Sequence, residues 1–522
     1  MKRKNVVFRI LLPLLLASTG LFAGCSNPPK LKSMENLYGT GGGKYAKFHR
    51  IAEADRALGL RYPGFLVGIE KGDKQVIDPN DHYKMILEKV KKQNKEVSSG
   101  NYRRIKDILS DPKRTFISHI AEYQLKSKKE GGTYSGIPYI GENLLYNAYE
   151  KKYLKRYDKD DNKNFLNPYE NGSNALITFN KRINEINKED KYTHVFLYCM
   201  GWNTDQQESL RNYNSLLCLL IENYDVKEGK PFRPLFVGIS WPSLWSWRVL
   251  EKVGVIASFF TKADDADEVG LIWGNRILRD ILIPFKKEQG IPLVLIGHSL
   301  GARVLTRSLF SSPLIPTAKT DSPDDIQRSD VDLVIGLEGA FSVRRFLFDK
   351  GLEGYPYVNF SDYAKNYIFT WSEHDKANPM SLIYGSRYIG GKPGYIYSKN
   401  FDLFRHYRIR VKGGGESGKI EDSFLDKNFN RVLKDDKYIE SMYKTKTTWE
   451  ESFNSTPVKS DYLNKIDGLK ENQKMVNPIS IVNATELIYY KPYYKGGNAH
   501  NDIYTPGVAK FIWKCIDISQ KQ

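Results

Sequence analysis

Apolar and polar positions alternate in two different ways along this chain, and the change falls near residue 175. Before it, from about 44 to 174, apolar residues recur at spacings of three and four over 82–97, 103–126 and 141–157, separated by Gly, Pro and Asn. That spacing predicts helices, so this region is expected to be mainly helical. After residue 175, short, mostly apolar runs, unbroken at 293–296, alternate with amphipathic stretches. Runs at 194–199, 234–239, 293–296, 331–337, 367–371 and 487–490 predict strands buried on both faces. Helices are expected at 205–224, within 271–283, after Ser299 and at 508–516. Such alternation predicts an α/β fold with a mainly parallel sheet. A polar stretch rich in Lys, Asp and Asn at about 391–482 reads as an insertion before the last strand.

Composition alters this picture only at the start of the chain. The 522 residues are 41% hydrophobic and 27% charged, which is globular and long enough for a large core. The formal charge is +18, and removing the four basic residues Lys2, Arg3, Lys4 and Arg9 leaves +14. Excess lysine makes a solvated surface and favours anionic headgroups. No basic helix with interleaved aromatics points to nucleic acid. Residues 1–24 are a basic start, a short apolar run interrupted by Pro13, and Leu21-Phe22-Ala23-Gly24 before Cys25. The run is too short to span a bilayer. Residues 25–43, with Pro28-Pro29 and three consecutive glycines, look like a tether. Cys199, Cys218 and Cys515 lie in apolar surroundings and read as core residues, without a disulfide framework or zinc spacing.

The chemistry concentrates around Gly297-His298-Ser299-Leu300-Gly301. An apolar strand precedes it and an apolar helical face with Val304, Leu305 and Leu309 follows, which is the context of a nucleophile elbow. A serine hydroxyl needs a neighbouring base, and the base needs an orienting acid. Asp375 follows the 367–371 strand and so reaches the same rim as Ser299; Glu338, after the 331–337 strand, is the other candidate acid. His500 lies before the last helix and is the expected base, with His374 as the alternative, and His298 is expected to pack. Trp241, Trp245 and Trp247 line an acyl pocket or fill the core. The glycine run 413–419 imitates a phosphate loop, but Ile420 stands where a metal-binding hydroxyl is needed. No cofactor or metal is expected.

With Met200-Gly201-Trp202-Asn203, Ser240-Trp241-Pro242-Ser243, Gly297–Gly301, Ser372–Asp375 and Gly497–His500 quoted, the 175–522 region resembles the α/β-hydrolase superfamily of serine hydrolases. The resemblance implies an α/β-hydrolase fold carrying a helical N-terminal extension and the insertion. It implies a Ser299–His500–Asp375 triad, an oxyanion hole formed by the Trp202 and Leu300 amides, and an ester or other acyl substrate, small-molecule or lipid. Met200 stands where that group usually has histidine. The N-terminus resembles a bacterial lipoprotein signal, which implies a lipidated Cys25 and an extracytoplasmic enzyme anchored to the cell-envelope membrane. The alternative is a non-catalytic envelope protein that binds a partner on the same scaffold.

Overall fold

In a computed structural model of the protein, the described residues are 64–71, 81–93, 100–111, 114–126, 139–148, 168–189, 191–201, 206–224, 232–243, 262–310, 330–347, 363–375, 377–378, 387–411, 447–448, 458–459, 475–476, 478–488, 500–501 and 503–520. The expected signal segment, the tether with Cys25, Trp245, Trp247 and the 413–419 glycine run lie outside them.

The chain is an α/β protein built on one ten-stranded, mostly parallel sheet. Its strands are β1 (Gly64–Lys71), β2 (Thr115–Lys126), β3 (Tyr139–Asn147), β4 (His194–Cys199), β5 (Pro234–Ser240), β6 (Leu293–His298), β7 (Val331–Leu337), β8 (Ala364–Trp371), β9 (Phe404–Arg408) and β10 (Ile479–Asn483). They lie in the order β3-β2-β1-β5-β4-β6-β7-β8-β10-β9. All neighbours from β1 to β9 run parallel, and only the β1–β2 and β2–β3 pairs are antiparallel. The helices are α1 (His82–Gln93), α2 (Gly100–Ser110), α3 (Pro168–Glu189), α4 (Gln206–Glu222), a continuous run α5 over 262–289, α6 (Leu300–Phe310), α7 (Lys392–Ser398) and α8 (Pro506–Gln520). Every residue of β4, β6 and β7 is buried, as central parallel strands covered on both faces require.

Three expectations need correction. The region before residue 175 is not mainly helical among the described residues: 115–126 and 139–147 are strands, and β1 adds a third. Phe116, Ile117, Ile120 and Ala121 repeat at helical spacing, yet they belong to a strand buried on both faces, where no alternation is left to read. Pro112, just after α2, disfavours continuing that helix toward Thr115. Secondly, the last strand is not 487–490 but Ile479–Asn483, whose β-branched residues pair with Tyr367–Trp371. Asn483 Oδ1 accepts from the Thr485 amide at 3.0 Å, and the chain turns there. Thirdly, the expected insertion is not wholly outside the sheet, because Phe404–Arg408 pairs along β10 as its edge strand.

The sheet order creates the site. From β4 the chain goes to β5 on one side, then to β6 on the other. Strand order therefore reverses at β4, and it is outside the carboxyl ends of strands at such a reversal, here β4 and β6, that open α/β sheets hold ligands. Helix α6 leaves β6 at this point and is clamped by α5. Residues Gly270–Gly274 and Ile277–Leu282 of α5 are wound as π-helix. A side chain at Gly270 or Gly274 would strike the Val304 carbonyl or the Ser308 hydroxyl of α6, so the two glycines set how closely the helices approach. No helix among the described residues is long and apolar enough to cross a membrane.

Candidate active site

Ser299 joins β6 to α6 with φ at 53°, in the left-handed region that an L-residue with a β-carbon avoids. The turn is held by three backbone bonds: Ser299 N–H to Leu337 O at 3.0 Å, Ala302 N–H to Ser299 O at 3.1 Å, and Ala340 N–H to Ser299 O at 3.0 Å. A β-carbon at Gly297 would collide with the Ala302 backbone, and one at Gly301 with the Cys199 carbonyl. One at Gly201 would lie 2.9 Å from Ser299 Cβ, so the β4 exit passes directly against the serine. These glycines permit strand, turn and helix to close around Ser299, which is 5% exposed. Leu300 opens α6, where the first amides have no acceptor within the helix. Trp202, the other expected oxyanion donor, lies outside the described residues.

Met200, where the resemblance implied a histidine, is well held. Trp241 Nε1 donates to Met200 O at 3.0 Å, and Ser209 Oγ donates to the Met200 sulfur at 2.7 Å. Met200 and Trp241 are both buried. Trp241 therefore anchors the chain at Met200 as it leaves β4, a role that the Ser-Trp-Pro-Ser sequence did not disclose.

Asp375 and His500 come together although 125 positions separate them: His500 Nδ1 donates to Asp375 Oδ2 at 3.0 Å. Since a carboxylate only accepts, the proton sits on Nδ1 and leaves Nε2 as an acceptor. Asp375 also accepts from the Ala377 amide at 2.7 Å, the Asn378 amide at 3.2 Å and Asn378 Nδ2 at 2.8 Å. Burial works to raise the Asp375 carboxyl, but the facing His500 and these donors outweigh it and hold the group below its ordinary value. The bond to Asp375 is made by His500, not by its sequence neighbour His374.

His298 fixes the other side of His500. Its Nε2 donates to the His500 carbonyl at 2.8 Å, and the two rings lie 4.9 Å apart. Burial, with His500 beside it, pushes His298 down to about 3, so it stays neutral and structural. Ser372 stitches the acid loop to the turn after β10: its Oγ donates to Ile488 O at 2.6 Å and accepts from the His374 amide at 3.1 Å. Ser372 opens the motif segment and Asn378 lies three residues beyond it, but nothing in their spacing announced these bonds.

Glu338, the rival acid, is also at the site. It follows β7 with φ at 51° and is fully buried. Atoms of Glu338, Asp375 and His500 able to bind a cation lie within 4.8 Å of one another. A cation there would have to displace the N–H donors already aimed at Asp375, so the geometry is that of an orienting acid rather than a metal cage. No protein-family model matches this chain, and neither a curated protein nor a solved structure is significantly similar to it.

Proposed function

We propose that the chain is a serine hydrolase of the α/β-hydrolase type, acting on carboxylic esters and tethered to a bacterial envelope membrane through Cys25. The observation that carries this reading is the Asp375–His500 hydrogen bond, assembled on the same rim as a left-handed Ser299 at the strand-order reversal. In the reaction Ser299 Oγ attacks the acyl carbon while His500 Nε2 takes the hydroxyl proton. The imidazolium that forms faces the ionised Asp375. The oxyanion accepts from the Leu300 and Trp202 amides, each such donor being worth about 3 kcal/mol at the transition state. His500 then protonates the leaving alcohol. Water, deprotonated by the same nitrogen, hydrolyses the acyl-enzyme and regenerates Ser299.

A fluorophosphonate probe tests the nucleophile without knowledge of the substrate. The folded wild-type protein is expected to become labelled at Ser299, and Ser299→Ala to remain unlabelled. Equal labelling of the two would remove Ser299 from the mechanism. A folded wild type that takes no label would favour a non-catalytic binding protein on the same scaffold. The tether is tested separately by mass spectrometry of the mature N-terminus, where a diacylated or triacylated Cys25 is expected and an intact Met1 would refute it.

A further inference from the structure

The mechanism above leaves one buried carboxyl unused. Glu338 Oε1 accepts from Thr370 Oγ1 at 3.3 Å, and the Glu338 amide donates to the same hydroxyl at 3.1 Å. The Glu338 carbonyl accepts from Asn378 Nδ2 at 2.8 Å, and that nitrogen also reaches Asp375 Oδ2 at 2.8 Å. Overhead, the Gly390 amide donates to Gly339 O at 2.9 Å, and a side chain at Gly390 would run into the Glu338 backbone. The group is thus sealed in and pinned beside Asp375. Its Oε2 is buried and makes no hydrogen bond of ordinary geometry, although the Ser372 amide lies near the carboxyl. Among the described residues, the titratable groups that face it are Asp375 and His500, with His298 beyond the His500 ring. One imidazole cannot balance two buried carboxylates packed this closely, whereas a proton on Oε2 turns the unfilled acceptor into a donor aimed at Asp375.

We propose that Glu338 is a positioning residue that stays a neutral carboxylic acid and donates a hydrogen bond to Asp375, so that the pair presents a single negative charge to His500. Burial and the adjacent Asp375 charge hold Glu338 well above the usual carboxylate range, and Asp375 sits below its own. Two carboxyls at one site divide their protonation in this way when like charges cannot both be sustained. The shared proton locks the Asp375 carboxylate in the plane that meets His500 Nδ1. The inference rests on the triad reading, but its first two tests need no catalysis.

In the first test, the His500 ring is titrated by NMR in wild type and Glu338→Gln, its signal assigned with His500→Asn. Glutamine keeps a donor and adds no charge, so His500 is expected to titrate within ~0.3 unit of wild type. If Glu338 is instead ionised, glutamine removes a negative charge and His500 falls by about 1 unit or more, which overturns the proposal. The second test uses wild type alone, with carbon-13 in its glutamate carboxyls. A buried, protonated glutamate C=O stretch is expected in the infrared spectrum at neutral pH, and its absence also overturns the proposal. Catalysis enters only in the third. Labelling of Ser299 by the fluorophosphonate is expected to slow about 10- to 100-fold in Glu338→Leu and to recover most of that in Glu338→Gln. Equal rates in the leucine variant and wild type would refute the positioning role. An unlabelled wild type would sink the hydrolase reading and leave the proton pair to be judged on the first two.

Discussion

Asp267→Ala is expected to take this protein to the edge of unfolding. Asp267, on α5, receives Arg303 Nη2 at 2.7 Å, Arg307 Nε at 3.2 Å and Arg345 Nη2 at 2.5 Å. None of the four side chains is more than 1% exposed. Arg303 and Arg307 lie one turn apart on α6, and Arg345 belongs to the short 3-10 helix Val343–Phe346 after β7. One carboxylate therefore holds together α5, the helix behind Ser299 and the segment behind Glu338. Alanine leaves three buried guanidiniums without the anion to which all three donate. Breaking a buried pair costs about 3–5 kcal/mol, against a total stability of roughly 5–15 kcal/mol for a native domain. Denaturant titration should show a loss in that range, or the variant should fail to fold. The comparison is Arg408→Ala, whose partner Glu486 and whose own side chain are 34% and 58% exposed. There the expected loss is about 0–1 kcal/mol. A similar small loss for Asp267→Ala would refute the clamp.

The two regions of the chain were not equally legible. Strands β4 and β7 stand where their runs begin and end, because a central parallel strand needs apolar residues on both faces and so writes itself as a mostly apolar run, interrupted in β7 by Asp332. Ser299 was legible for a related reason: Gly297 and Gly301 are forced by backbone approaches that few other residues tolerate. The same two-sided burial hid β2. Its sequence also contains the polar Ser118 and Glu122, both buried, so the apolar residues that remain fall by coincidence at helical intervals. Glu122 is compensated by Arg182 of α3, which donates to it through Nε at 2.8 Å and Nη2 at 3.0 Å. A pairing made 60 residues away is not visible in a local pattern.

The site divides in the same way. Asp375 and His500 follow from where a strand ends and where the last helix begins. Glu338 was read as a competitor to Asp375, because position alone places both at strand ends. The structure makes them neighbours. Thr370, Asn378 and Gly390 determine that outcome, and they come from three separate segments that meet only in the folded protein. Met200 gives the opposite lesson. The resemblance implied a histidine at this position, but the carbonyl that Trp241 grips belongs to the backbone, so residue 200 tolerates a sulfur side chain.

The base assignment separates the three histidines that lie at or next to the site. His500→Ala is expected to slow fluorophosphonate labelling of Ser299 by about 10⁴-fold or more, since members of a triad act as a unit. The pH dependence should change as well. In wild type the labelling rate rises as His500 loses its ring proton, because only the neutral ring accepts the serine proton; that limb should vanish with the ring. His374→Ala should label within about 3-fold of wild type, because substitutions away from a working side chain have small effects. His298→Ala should fall between them. Its Nε2 bond to the His500 carbonyl is lost, and a base displaced by an ångström costs about 10²-fold. The ranking is informative because the three residues are chemically identical and differ only in their contacts. The His500 side chain donates to Asp375, and it is 12% exposed, open enough to meet an incoming substrate. Equal losses in all three variants would mean that the site depends on packing and not on a base. A full-rate His500→Ala would end the triad reading, even if Ser299 still takes the label.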